Sequence, residues 1–143
     1  MQKRLVGLLV PMAVLAFAVA AVAVAAEQTQ NLESTPQVKT YRQQEKAIQA
    51  GDYEAYKKTM TKASAEGMEK QTKEMKMDPK KTMEFMKMML PTDLKFTSLK
   101  VDKNKATLMA TGMMDKEVNK GTIEFEQEGG QWKIVKQSWT NAK

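Results

Sequence analysis

Residues Gly121 to Trp139, GTIEFEQEGGQWKIVKQSW, read as two alternating strands joined by a glycine pair and closed by tryptophans. Ile123 and Phe125 point one way and Thr122, Glu124 and Glu126 the other, and Gly129-Gly130 supplies the positive φ values of a tight hairpin. One face of this ending is dry and the other wet. Helical patterns precede it, so the chain is α+β, with its sheet at the carboxyl end.

The helices are bounded by local signals. Thr35-Pro36 pairs a capping hydroxyl with proline at the first helical position, and Gly51 tolerates the left-handed conformation that ends a helix, which predicts a helix over 36–50. Val38, Tyr41, Ala47 and Ile48 share its buried side. Asp52 is placed to cap a second helix over 53–62, with Tyr53, Tyr56 and Met60 at helical spacing. A third, strongly polar helix over 65–77 carries Met68, Thr72 and Met75 on one side. Asp78-Pro79 repeats the start signal, and the helix over 79–90 stops before Pro91, with Met83, Phe85, Met86, Met89 and Leu90 in one arc and Met88 outside it.

After Pro91 the period becomes two. Leu94 and Phe96 share one face while Leu99 and Val101 have the opposite phase, which predicts a bulge near Thr97 and Ser98. A turn over 102–105, a strand over 106–113 and a connection over 115–120 lead to the closing hairpin, giving about four antiparallel strands.

Composition bounds the compartment and the partners. Lys3 and Arg4 precede an apolar run from Leu5 to Val24, and Val24-Ala25-Ala26 offers the small residues a signal peptidase needs, so residues 1–26 are expected to be a cleaved secretory signal. The same run is long enough, at about 20 residues, to remain as an uncleaved inner-membrane anchor. The reading favours cleavage, with no stable membrane insertion afterwards and a periplasmic or secreted location. Residues 27–35 are polar and aperiodic, a flexible linker, and residues 36–143 form one domain. The chain has no cysteine, which excludes disulfides, thiol catalysis and a lipid-modified cysteine. Its formal net charge is +6, or +4 with Lys3 and Arg4 set aside, and Arg42 is then the only arginine. Nucleic-acid readers rely on arginine forks and clustered basic patches, so that partner class is set aside. A loose affinity for anionic envelope polymers or lipid headgroups stays open.

The string YRQQEKAIQAGDYEAYKKTM, with its Gly-Asp corner, resembles the opening of small domains of the nuclear transport factor 2-like superfamily. The pattern VDKNKATLMATG followed by GTIEFEQEGGQWKIVKQSW is similar to exported bacterial members, grouped as lumazine-binding-like or as domains of unknown function. The likeness runs from about Pro36 to Trp139. It implies helices packed in the concave face of a curved sheet, a cone with a pocket, and it implies no single activity.

Enzymes of that fold, such as ketosteroid isomerases and polyketide cyclases, place an acid or base among tyrosines inside the cone. This chain has no histidine, and the only set from which such a site could be assembled is Asp93 with Tyr41, Tyr53 and Tyr56. Asp52 and Asp78 read as helix caps and Asp102 and Asp115 as turn residues, so the reading leans away from catalysis. Eight of the thirteen methionines lie between Met60 and Met89, and thioethers suit Cu(I). Met75 and Met77, like Met86 and Met88, are two apart and diverge on a helix, so methionine reads instead as an adaptable apolar lining. No cofactor or metal is implied.

Trp132 and Trp139 are seven apart, so in a regular strand they face opposite ways, with Ile134 beside the first and Val135 beside the second. That arrangement would leave one on the outer face, where two copies could pair through the sheet. The chain is therefore expected to be an exported, non-enzymatic binding domain holding a hydrophobic small molecule or an envelope protein. Tyr41, Tyr56, Met86, Phe96, Phe125 and Trp132 are the candidate pocket lining. The alternative is an interaction module whose cone is filled by its own side chains; a cyclase-like enzyme and a methionine copper site stand behind both.

Overall fold

The computed structural model describes residues 31–143; the signal segment expected over 1–26 and the start of the linker lie outside them. A single 3-10 turn, Leu32–Ser34, is followed by four helices, α1 (Pro36–Ala50), α2 (Tyr53–Lys58), α3 (Lys62–Glu74) and α4 (Pro79–Met88). Four strands complete the domain, β1 (Thr92–Asp102), β2 (Lys105–Met114), β3 (Glu117–Glu128) and β4 (Gln131–Asn141). The strands form one antiparallel meander in the order β1-β2-β3-β4. Leu32 is buried in the sheet-side core, so the packed part begins ahead of the Pro36 boundary expected from sequence.

The start signals act as expected. The Thr35, Asp52 and Asp78 side chains accept from the backbone N–H groups of Val38, Ala55 and Lys81, and Gly51 ends α1 with φ 70°. Two helix boundaries differ. α2 stops at Lys58 rather than Lys62, because the next residues leave the helix to pair with the sheet edge: Ile134 N–H donates to the Thr59 carbonyl at 2.8 Å and Thr61 N–H to the Ile134 carbonyl at 3.0 Å. This short bridge covers part of the exposed edge of β4. Thr61 then caps α3, which starts three residues earlier than its apolar pattern suggests and ends at Glu74. On α4, Met83 is buried, while Phe85 and Met89 are about half exposed although the periodicity assigns them to the dry arc.

Bulges set the sheet's faces. The register of β1 on β2 shifts between Phe96 and Ser98, which brings Leu94, Phe96, Leu99 and Val101 into one phase, as the sequence predicts. Two further shifts are not foreseen, one in β1 between Thr92 and Lys95 and one in β4. Glu124 pairs with Lys136 while Phe125 pairs with Ile134, so Val135 is an extra residue in β4. Beyond it the alternation inverts. Gln137 and Trp139 pair with Ile123 and Gly121, and Ile134 and Trp132 pair with Phe125 and Gln127, so both tryptophans lie on the helix side of the sheet. The outer-face tryptophan expected for self-association is thereby corrected. That outer face carries Met109, Met113 and Val118 among Thr107, Thr111, Thr122, Glu124, Lys136, Ser138 and Thr140 instead.

The connection expected over 115–120 is only a two-residue turn. Asp115 and Lys116 have φ values of 49° and 66°, the geometry of a tight hairpin, and Val118, Asn119 and Lys120 are already paired with Met113, Gly112 and Thr111 of β2. Gly129 and Gly130, at 60° and 75°, turn the last hairpin as expected.

Two cores result. Val38 and Tyr41 of α1 pack on Ala106, Leu108, Ala110, Ile123, Phe125 and Ile134, while Ala47 and Ile48 pack with Tyr56 and Met83 among the helices. A cleft is lined by residues of both clusters.

Candidate functional site

A cleft of about 670 Å³ lies between the helical layer and the carboxyl end of the sheet. Its helical wall is Tyr41, Gln44 and Ile48 of α1, Tyr56 of α2, Met68 of α3 and Met86 of α4. The sheet wall is Ile134, Gln137 and Trp139 of β4 with Met114 and Asn119 from the β2–β3 end, and Leu90-Pro91 closes the floor. Two glycines shape the sheet wall. A Cβ on Gly121 would stand 2.6 Å from the Trp139 ring, and one on Gly112 would stand 2.7 Å from the Pro91 side chain. The absent side chains let the indole lie flat on β3 and let the α4–β1 link sit down on β2.

A polar thread crosses the apolar walls. Gln137 donates through Nε2 to Oε1 of the buried Gln44, Gln44 donates to Thr59 Oγ1 at 3.0 Å, and that hydroxyl donates to the Tyr56 carbonyl at 2.7 Å. The thread ties α1, the α2 end and β4 together at the cleft, where each unmade bond would cost the desolvation of a buried amide. Ser64 Oγ donates to the Val135 carbonyl at 2.8 Å, so the bulge residue is also held by α3.

The tyrosines stay neutral. Burial pushes the Tyr56 hydroxyl up to about 12, with Tyr53 adding to the shift, and its hydroxyl donates weakly to Met86 Sδ at 3.9 Å. Burial raises Tyr41 as well, reinforced by Glu45 and opposed by Arg42. Its ring meets Phe96 edge-on at 5.6 Å. No carboxylate lines the cleft, and Lys136 at its edge belongs by register to the outer face, where it pairs with Glu124 at 3.8 Å. The site is thus an electrically neutral apolar hollow with a few hydrogen-bonding groups.

Of the six sequence candidates, Tyr41, Tyr56 and Met86 line this cleft. Phe125 does not, being fully packed in the sheet-side core. Phe96 lies between Tyr41 and the Arg42 guanidinium, which sits 5.0 Å from its ring centre. Trp132 is at the far end of β4, its carbonyl accepting from Thr40 Oγ1 at 3.0 Å. The tryptophan of the cleft is Trp139. Gln44 and Gln137 carried no sequence signal, whereas Met60 of the α2–α3 link, Met68 of α3, Met86 and Met89 at the end of α4 and Met114 of β2 all reach the cleft. That convergence is invisible to spacing along the chain.

The carboxylate and tyrosines of the candidate catalytic set are not assembled. Asp93 lies with Asp115 and Lys116 in a separate hollow beyond Leu90, and Tyr53 lines another hollow with Lys80 and Lys87. Among the described residues, no three His, Cys, Asp or Glu side chains gather as metal ligands, and no helix is long and apolar enough to cross a membrane.

No family model and no curated protein matches the chain. Among solved structures it is similar to an NTF-2 like protein of unknown function from Shewanella oneidensis MR-1, at 18% identity and a TM-score of 0.48, over 74% of this chain and 97% of that one. It is also similar to an NTF2-like protein of unknown function from Pseudomonas putida KT2440, at 12% identity and a TM-score of 0.39, over 84% and 87% of the two chains. Four helices followed by an open four-stranded antiparallel sheet form an α+β arrangement.

Proposed function

We propose that this chain is a non-enzymatic binding domain that holds a hydrophobic small molecule in the cleft between its helices and its sheet. The observation that carries the reading is the cleft itself: about 670 Å³ left open, walled by tyrosine, methionine and Trp139, and free of carboxylates. That volume falls in the range of small-molecule sites, whose walls are mostly apolar with a few polar groups that set orientation. Methionine side chains adapt to ligand shape at low cost. An interaction module with a filled cone is the weaker reading, because its own side chains leave this space unfilled. The basic residues and apolar run ahead of Glu27 support an exported location, which cell fractionation against a periplasmic marker would test.

The probe for the cleft is N-phenyl-1-naphthylamine, which fluoresces on entering apolar sites. Saturable enhancement is expected with the wild-type chain, and Met68→Trp, which builds an indole into the hollow, is expected to weaken it by about tenfold or more, equivalent to about 1.4 kcal/mol. Equal enhancement by both proteins, or none by the wild type, would overturn the reading.

A further inference from the structure

Helix α4 presents an apolar crown to solvent. Phe85 is 48% exposed, Met88 77% and Met89 48%, and their spacing of three and four puts them on one side of the helix, opposite the buried Met83. Large apolar side chains grouped in this way on a helix mark a contact surface rather than scattered exposure.

The charge of the stretch that carries the crown indicates what it contacts. Between Lys70 and Lys87 the chain carries Lys70, Lys73, Lys76, Lys80, Lys81 and Lys87 against Glu74, Asp78 and Glu84. This stretch therefore holds most of the net positive charge of the chain beyond its first residues. All six lysines are exposed, and none forms an ion pair among the described residues. Elsewhere Lys57 meets Glu54 and Glu69, and Arg42 meets Glu33 and Glu45, while other lysines such as Lys95, Lys100 and Lys103 also form no ion pair among the described residues.

We propose that α4 is a peripheral docking element for anionic bilayer surfaces, with Phe85, Met88 and Met89 entering the headgroup boundary and the flanking lysines meeting lipid phosphates. Apolar residues crowning a helix with unpaired lysines along its flanks match the composition of interfacial helices. Lysine stems bury along apolar surface while their ammonium groups stay at the phosphates. The same helix gives Met86 and Met89 to the cleft lining, so docking would bring the cleft entrance to the lipid, where apolar molecules are concentrated. The docking itself does not depend on the cleft being a ligand site.

The absence of cysteine makes a site-specific test direct. The full-length chain carrying Met88→Cys, labelled with a nitrobenzoxadiazole dye, is mixed with vesicles of phosphatidylglycerol and phosphatidylcholine in equal parts, or of phosphatidylcholine alone. The dye emission is expected to rise and shift to the blue on the anionic vesicles only. The same dye at Lys103→Cys, in the β1–β2 turn, is expected to stay unchanged. Lys80→Glu combined with Lys81→Glu is expected to raise the lipid concentration for half response by at least about tenfold, since each lysine near an anionic surface contributes roughly fivefold. An unchanged dye at position 88 while the chain sediments with anionic vesicles would overturn the proposal, as it would assign the association to the apolar amino-terminal run. An equal response on phosphatidylcholine, or one that follows protein rather than lipid concentration, would overturn it too, the latter by identifying a second copy as the occupant. Because the naphthylamine assay contains no lipid, the cleft and the docking helix fail separately.

Discussion

The Trp139 indole occupies the space that a side chain at Gly121 would take, with the projected Cβ only 2.6 Å from the ring. The pair sits in register across β3 and β4, so the contact holds the last strand against the sheet and fixes one wall of the cleft. Gly121→Ala is expected to lower stability by about 1–3 kcal/mol, the usual range for overpacking a filled site. It should also push the indole toward the cleft. A shifted midpoint in urea with an unchanged slope, together with altered tryptophan emission, is the expected result; unchanged stability would mean that the ring moves aside freely.

The Val135 bulge decides which way Trp139 faces. Deleting Val135 removes the extra residue together with its bulge, makes Ile134 and Lys136 neighbours in a regular strand and leaves Gln137 and Trp139 facing the helices opposite Ile123 and Gly121. The shortened chain is expected to keep a cooperative transition and native-like tryptophan emission, losing only the bond from Ser64 to the Val135 carbonyl. Water-exposed tryptophan emission would show that the strand slips to another register.

Gln44 is buried at 2% exposure and links Gln137 to Thr59. Gln44→Ala leaves the Thr59 hydroxyl and the Gln137 amide without that partner, and the expected loss is about 1–3 kcal/mol. Gln44→Glu tests the same thread through charge: a buried carboxylate facing the neutral cleft should destabilise more at pH 8 than at pH 4, where it is protonated. Urea unfolding of both variants at the two pH values checks this.

These features also show where sequence reading succeeds and where it stops. Caps are local chemistry, so Thr35, Asp52, Asp78 and Gly51 could be placed by inspection. The bulge near Thr97 was legible because the apolar phase of β1 itself inverts between Phe96 and Leu99. The Val135 bulge was not, because Ile134, Val135 and the tryptophans are apolar in either phase, and only pairing with β3 distinguishes them. The end of α2 depended on Ile134, more than seventy residues away, and no helical pattern reports that. The cleft suffered in the same way. Tyr41, Tyr56 and Met86 could be chosen as apolar residues on helices, yet which tryptophan joined them followed from the strand register.

The hydroxyl of Tyr56 gives a pH dependence with a definite sign. Its folded value is pushed up to about 12 from 10.0 by burial, so the folded protein holds this proton more tightly than the unfolded chain. The stabilising contribution is fully present below about pH 10 and is lost as the pH rises through about 12. Stability should therefore fall across that window, and tyrosinate absorbance should develop later in the folded protein than in urea. Lysines titrate in the same range, so the informative comparison is with Tyr56→Phe. That variant should show a shallower fall in stability between pH 10 and 12, along with any loss of its weak contact to Met86. Identical slopes for the two proteins would mean that the Tyr56 hydroxyl reaches water in the folded state.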